Sequence, residues 1–385
     1  MGTAASAAGA AVTESVFVRI PALAARHGAV NLAQGVFDHG PEEALLSALA
    51  GVGGGPEHQY APSPGHPALR AALARHIHRH DGVTVDPDGE VTVTVGATEA
   101  LHCAITALVR SGDEVILVEP AYEQYAPAVR SAGGTTRALR LSSAGERVTA
   151  EALEALVTPA TRAIVVNSPW NPLGRGLDPD EWRAVADLAA RHGVVVVSDE
   201  TYEHLNLDGA PHHGVLEAVH DPELRVKVSS VSKTFAATGW RIGWAVAGPE
   251  LTRRIRAVHQ FLTFCPSTPM QLATATVLDA PDTPAMLERR ARELGERVGG
   301  FAAELCDVGL SATAPDCGFF VLADVGEDAE RWCDRMIVDA GVAALPMSVF
   351  YSEPVAEMVS VVRFAACKRP ETLAEAIRRL RSFPA

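Results

Sequence analysis

Ser230-Val231-Ser232-Lys233-Thr234, followed closely by Gly239-Trp240-Arg241-Ile242-Gly243-Trp244, is the stretch from which the rest of this 385-residue chain is read. Only three lysines (Lys227, Lys233, Lys368) stand against thirty arginines. A primary amine can lose its proton and condense with an aldehyde, whereas a guanidinium stays charged and inert. Ser230, three residues before Lys233, and Arg241, eight after it, suit an anchored phosphate beside such an aldehyde. A lone Ser-x-x-Lys equally describes a solvated surface lysine, so the surrounding chain has to decide.

The surroundings alternate strand and helix. VTVTV (91–95) runs into Gly96-Ala97-Thr98 and a helical pattern, and EVILVE (114–119), AIVVNSP (163–169) and VVVVSDE (194–200) follow at helix-length intervals. VKVSSVSK (226–233) and IGWAVAG (242–248) close the series. Near-continuous apolar strands separated by helices predict a mostly parallel sheet covered on both faces, with its ligand site at the strands' C-terminal edge. After about residue 285 a long charged helix precedes FFVLADV (319–325), VAALP (342–346), VSVVRFA (359–365) and a last helix from Glu371, which reads as a compact α+β unit. The expected division is a tail (1–12), an arm joining the small domain (13–45), a large domain (46–284) and a C-terminal small domain (285–385).

Polar residues gather at that predicted edge. Gly96-Ala97-Thr98 opens a helix, where backbone N–H groups and the dipole favour an anion, although an ordinary turn has the same composition. Asp199 ends the most apolar strand and needs a cation or donors to stay ionised. A protonated pyridine nitrogen supplies both, whereas the plain alternative is a helix-capping aspartate. Tyr202 and Asn171, the latter in the proline-flanked loop Ser168-Pro-Trp170-Asn171-Pro, can donate to a ring phenolate. Tyr122 can stack on a planar ring. Arg363, inside an apolar strand, calls for an anion: a substrate carboxylate, or a structural salt bridge. The cofactor that joins aldehyde, phosphate, pyridine nitrogen and phenolate is pyridoxal 5'-phosphate (PLP).

Composition narrows the partners. A content of 48% hydrophobic and 21% charged residues reads as a soluble globular protein, and a net charge of −14 argues against nucleic acid or anionic membrane. No apolar run reaches spanning length. The six cysteines lack ligand spacing, predict no metal site, and read as buried apolar residues in a reducing, cytoplasmic setting. Met1-Gly2-Thr3-Ala4-Ala5-Ser6 matches an acylation pattern, but the segment is read as a disordered tail.

Taken together, these residues resemble the class I aminotransferases of PLP fold type I, and within them the kynurenine, glutamine-phenylpyruvate and methionine subgroup. The resemblance spans about Ser15 to the C-terminus, through Asn31-Leu-Ala-Gln-Gly35, Gln59-Tyr60-Ala-Pro, Gly96-Ala-Thr-Glu-Ala, Asn171-Pro-Leu-Gly, Ser198-Asp-Glu, Ser232-Lys233-Thr-Phe, Gly239-Trp-Arg241-Ile-Gly-Trp and Val362-Arg363-Phe. It implies an α/β fold with a seven-stranded-type, mostly parallel sheet plus a small α+β domain. It implies Lys233 as covalent anchor and proton carrier, Asp199 at the pyridine nitrogen, Asn171 and Tyr202 at the phenolate, and Tyr122 on the ring. The phosphate falls to Ala97, Thr98, Ser230, Arg241 and, across a homodimer interface, Tyr60. Arg363 holds the α-carboxylate with Gly35 closing over it. Where the subgroup carries Gln-Gly-Phe-Pro-Asp-Phe, this chain has Gln34-Gly35-Val36-Phe37-Asp38-His39, and Trp170 replaces a commonly small residue. Phe37 and Trp170 are therefore expected at the substrate pocket, and Asp38 near its mouth.

The implied reaction is a ping-pong transfer of an amino group between an L-amino acid and a 2-oxo acid. The donor is large and neutral or aromatic, or a specialised biosynthetic amino acid, including a guanidino one. An N-succinyl-diaminopimelate donor would want a second cationic clamp, for which no residue stands out. A PLP-dependent β-lyase, cyclase or oxidase would need the same Lys233, Asp199 and Arg363. A non-catalytic regulatory domain fits poorly, since neither a DNA-binding segment nor a basic patch is present.

Overall fold

A computed structural model describes residues 16–383, so the tail and its acylation pattern lie outside the described residues. The short strand β1 (Val30–Asn31) stands apart from the main sheet. That sheet contains β2 (Val91–Val95), β3 (Glu114–Glu119), β4 (Thr135–Arg140), β5 (Thr161–Asn167), β6 (Val195–Asp199), β7 (Arg225–Ser230) and β8 (Ile242–Ala247). Their order is β2-β8-β7-β6-β5-β3-β4, with every pairing parallel except the two made by β8.

The apolar runs are buried on both sides because alternate residues feed different cores. In β5, Ile164 and Val166 join one cluster with Trp182, Leu188 and Leu69, whereas Ala163 and Val165 join another with Leu101, Ile105 and Leu251. Each fully buried aliphatic side chain contributes about 1.5–3 kcal/mol. The strand β4 was not expected from the sequence. Its TTRALR pattern is partly exposed along its whole length because it forms the sheet edge beyond β3. Edge strands carry polar side chains and lose the apolar signature of central ones.

The second sheet is antiparallel. It contains β9 (Ser311–Thr313), β10 (Phe320–Asp324), β12 (Leu345–Pro346) and β13 (Val361–Ala365), in the order β12-β13-β10-β9. The remaining strand, β11 (Val342–Ala343), pairs in parallel with β1, which ties the arm to this unit. The helix Thr283–Asp307 packs Leu294, Val298, Phe301 and Leu305 into the same core as Phe364 of β13. The cysteines fit the buried reading only in part: Cys103, Cys317, Cys333 and Cys367 are buried, Cys265 is half-buried and Cys306 is exposed.

The reversal of β8 positions the site. Because this strand runs against its neighbours, its N-terminal end meets their C-terminal ends, in a register that pairs Val95 with Ile242 and Ser230 with Gly243. The approach leaves no room for side chains. A Cβ on Gly243 would lie 2.3 Å from the Gly96 carbonyl carbon, and one on Gly96 (φ +73°) would lie 2.3 Å from Arg241 Nη2. Gly243→Ala is accordingly predicted to destabilise the fold by about 1–3 kcal/mol or more, because backbone must move to accept one methyl group. Urea unfolding checks this, and an unchanged midpoint would mean that the two strand ends do not abut.

Candidate active site

Segments from both ends and the middle of the chain converge at this edge around a cavity of roughly 230 Å³. Its lining includes Ala97, Thr98, Tyr122, Asn171, Asp199, Tyr202, Ser230, Lys233, Arg241 and Arg363, together with Gly35. At one end, the helix Gly96–Leu108 begins at the tip of β2 with no side chain capping it, so its first N–H groups are available to an anion. Ser230, almost fully buried, ends β7 beside it. Arg241 completes the group, with Nη2 3.3 Å from Thr98 Oγ1 and Nη1 donating to the Thr238 carbonyl at 3.2 Å. Its backbone is left-handed (φ +53°), a conformation that costs a non-glycine residue about 1–3 kcal/mol and clusters at functional sites.

The two lysines near the sheet behave oppositely. Burial disfavours charge at both. Around Lys227, Asp81, Glu203 and Glu200 lie 2.6, 2.7 and 3.3 Å from Nζ and more than reverse that penalty, holding the ammonium well above its usual pKa. Among the described residues no carboxylate pairs with Lys233. Burial, joined by the guanidinium groups of Arg363 and Arg241, pulls its amine down to about 8. Its Nζ donates to the Gly35 carbonyl at 2.6 Å. Lys227 is thereby locked as a cation, and Lys233 is the lysine within reach of its neutral, nucleophilic form.

Asp199 sits across the cavity, buried at the end of β6. Burial raises its pKa, and hydrogen bonds from Thr201 and from Tyr125 Oη, at 2.8 Å, work against that rise. Tyr125 and Thr201 were not anticipated. The tyrosine lies three residues beyond Tyr122 and reaches Asp199 only because β3 is spatially close to β6 through β5. Burial likewise raises the pKa of Tyr202 and Tyr122, so both remain neutral donors.

Arg363 resolves one open alternative. Its guanidinium is buried, with burial lowering its pKa to about 10, and no acidic side chain pairs with it among the described residues. Nη1 donates to Asn171 Oδ1 at 2.7 Å and Nη2 to the Ala33 carbonyl at 2.6 Å, while Nε has no partner. The rings of Phe320 and Phe350 lie 4.0 and 4.8 Å from Cζ. No structural salt bridge forms at Arg363 among the described residues, and its buried guanidinium faces the cavity.

Several expected residues lie elsewhere. Trp170 does not wall the pocket: it is buried in the core, its Nε1 donates to the Pro120 carbonyl at 2.8 Å, and the Arg175 guanidinium covers its ring. Phe37 is also absent from the lining, since its ring packs edge-on against Phe319 and under Arg290; Val36 takes the cavity position instead. Asp38 accepts from Arg369 N and Thr372 Oγ1, so it caps the C-terminal helix and is committed away from the pocket mouth. Tyr60 is 85% exposed with its ring against Phe264, outside the cavity of its own chain. Phe17, Gln34, Gln124 and Phe320 line the cavity without having been foreseen. Phe320 had a signal in its strand position, but Phe17 comes from a helix remote in sequence and had none.

PLP fits this arrangement on three independent grounds. The cradle of bare N–H groups, Arg241 and Ser230 matches a phosphate. The buried Asp199 carboxylate matches a ring cation, and orphaned polar atoms on Gln124, Ser232 and Arg363 await partners.

Comparison with known proteins agrees. The family model described as "Aminotransferase class I and II" matches residues 28–380. The probable N-succinyldiaminopimelate aminotransferase DapC of Mycobacterium tuberculosis is 41% identical over 381 residues, covering 95% of each chain. The methionine aminotransferase of Escherichia coli is 37% identical over 377 residues, covering 96% of each. A solved structure of the Mycobacterium tuberculosis N-succinyldiaminopimelate aminotransferase superposes with a TM-score of 0.91 at 40% identity, covering 96% of this chain and 97% of that one. This chain belongs to the class I and II aminotransferases, enzymes that use PLP to move an amino group between amino acids and 2-oxo acids.

Two outcomes follow from the electrostatics. With an amine pKa near 8 instead of the ordinary 10.5, the neutral fraction of Lys233 grows as pH climbs through 8. Apoprotein should therefore react with added PLP at a rate whose midpoint lies near pH 8, followed by absorbance; a midpoint above 10 would contradict the stated environment. Tyr125→Phe removes a donor to a buried carboxylate, which is predicted to weaken PLP retention by about 1–3 kcal/mol in equilibrium dialysis.

Proposed function

We propose that Lys233, Asp199 and Arg363 carry transamination of a large neutral or aromatic L-amino acid in a homodimer. The reading rests on one observation above all: the unpaired, buried Arg363 guanidinium opens on the same cavity as Lys233. When bound, PLP supplies an aldehyde that condenses with amines and a ring that accepts negative charge.

The residues divide the remaining work. Arg363 binds the substrate α-carboxylate, its Nη groups fixed by Asn171 and Ala33 and its Nε free for the anion. Lys233, on the same cavity, would carry the proton removed from the substrate Cα. Asp199, held by Tyr125 and Thr201, keeps the pyridine nitrogen protonated. Tyr202 and the Asn171 amide nitrogen donate to the phenolate oxygen, since the Asn171 oxygen is occupied by Arg363. Tyr122 stacks on the ring. Ala97 and Thr98 amides, Ser230 and Arg241 hold the phosphate. Gly35 lies over Phe319 and Phe320, where even a Cβ would approach a ring carbon at 2.9 Å, so the loop closes tightly above the substrate.

Dimerisation is supported by the apolar surface around Tyr60. Phe261 (87% exposed), Leu262 (50%) and Phe264 (45%) lie unburied beside it, more than an isolated chain gains by exposing. In the assembly, Tyr60 of a second copy reaches the phosphate.

The walls favour a neutral donor. Phe17, Val36, Tyr122 and Phe320 are apolar or neutral, and the cations of the lining (Lys233, Arg241, Arg363) all have roles. The relative named for N-succinyldiaminopimelate supports the alternative of a diacid donor. A panel including methionine, phenylalanine and N-succinyl-LL-diaminopimelate, given to holoenzyme without acceptor, separates them. The expected result is loss of the visible band with stoichiometric 2-oxo acid for the first two. Ammonia release would indicate a lyase instead. Arg363→Gln should lower kcat/KM for amino acids by at least about 100-fold, as expected when a charged hydrogen-bond partner of about 3 kcal/mol is removed. A simple amine without a carboxylate should be affected far less.

A further inference from the structure

Behind the active site, on the far side of the segment carrying Asp199 and Tyr202, a second polar cluster has no part in the reaction described above. The helix Pro67–Asp81 places His76 and His80 one turn apart on the same face, with Asp81 at its end. The chain leaving β6 adds Glu200, Glu203 and His204, and β7 adds Lys227. His204 sits between the two helix histidines, its ring centroid 4.8 Å from that of His76 and 4.3 Å from that of His80. The Nε2 atoms of His76 and His204 face each other at 2.9 Å. One ligand atom each from His80, Glu203 and His204 falls within 4.8 Å of the others. These three and His76 line an open cleft of about 710 Å³, which gives an ion a route in.

We propose that His76, His80, His204 and Glu203 form a binding site for a divalent transition metal of the zinc type. Three imidazoles and a carboxylate are a ligand set that zinc takes in tetrahedral geometry, whereas magnesium and calcium take oxygen ligands. Zn–N bonds of about 2.0–2.1 Å at a tetrahedral angle hold two nitrogens roughly 3.3–3.4 Å apart. The His76–His204 pair therefore has to open by about half an ångström, which side-chain rotation provides. Glu203 retains capacity: Oε1 accepts from Ser229 and Oε2 from Lys227, and each oxygen has a second lone pair.

Charge points the same way. Asp81, Glu200 and Glu203 surround a single ammonium, Lys227. Three carboxylates against one ammonium leave two negative charges unmatched between them, which a divalent cation matches. His80 Nδ1 lies 2.9 Å from Asp81 Oδ1, and His212 Nε2 lies 2.9 Å from Glu200 Oε2. Bound metal would clamp the helix Pro67–Asp81 to the turn after β6, stabilising the fold by mass action without touching the reacting atoms.

The test uses holoenzyme lacking a polyhistidine tag, stripped with chelator and titrated with Zn²⁺ against a chromogenic competitor. One zinc per chain is expected, together with a higher unfolding temperature. His76→Gln and His80→Gln should each weaken binding at least about 100-fold and abolish the thermal shift, while His78→Gln, exposed on the same helix, leaves both unchanged. Each variant must retain the PLP band, which reports an intact active site. As a measurement independent of any variant, Co²⁺ in the wild type should show the intense visible bands of a four-coordinate nitrogen site. Absence of stoichiometric zinc in the wild type, or wild-type affinity in both ligand variants, would overturn the proposal.

Discussion

The antiparallel insertion of β8 between β2 and β7 is the constraint on which the site depends. In an all-parallel sheet, the residue preceding β8 would lie at the opposite edge, far from Lys233. Reversal brings Arg241 to the tips of β2 and β7, and the pairs Val95–Ile242 and Ser230–Gly243 fix the alignment to one residue. Two glycines, Gly96 and Gly243, allow backbones to approach where no Cβ fits. The convergence of a helix N-terminus, a strand-end serine and a reversed-strand arginine, proposed above to hold a phosphate, is thus a product of topology.

Once the cations are gathered there, their mutual influence sets the chemistry. Arg363 and Arg241 join burial in making the ammonium form of Lys233 unfavourable, which is why this lysine, and not the carboxylate-bound Lys227, approaches neutrality. Asp199 lies in the same low-dielectric space with a raised pKa, held by Tyr125 and Thr201. Burial of Arg363 and Asp199 carries a cost that the proposed substrate carboxylate and PLP ring cation would offset.

Legibility in the sequence followed the same logic. Lys233, Arg241, Asp199 and Arg363 were visible because each breaks a local rule: a rare lysine, or a charge against an apolar strand. Those rules are read within a few residues. Tyr125 and Phe17 broke none, and they reach the cavity only through contacts between elements far apart in the chain. Trp170 and Phe37 were misplaced because adjacent residues in a loop face opposite ways, and sequence order does not say which neighbour, Trp170 or Asn171, turns inward. The strand β4 was missed because an edge lacks the two-sided apolar pattern by which its neighbours were recognised. The histidine cluster was equally hidden, since its members come from three separate segments.

The central claim is that Lys233 is the lysine that holds PLP. Reduction of the holoenzyme with sodium borohydride, followed by proteolysis and mass spectrometry, tests it directly. The account predicts one pyridoxyl group per chain, on the peptide containing Lys233, with Lys227 and Lys368 unmodified. A pyridoxyl group on Lys227 or Lys368, or none after saturation with PLP, would contradict it.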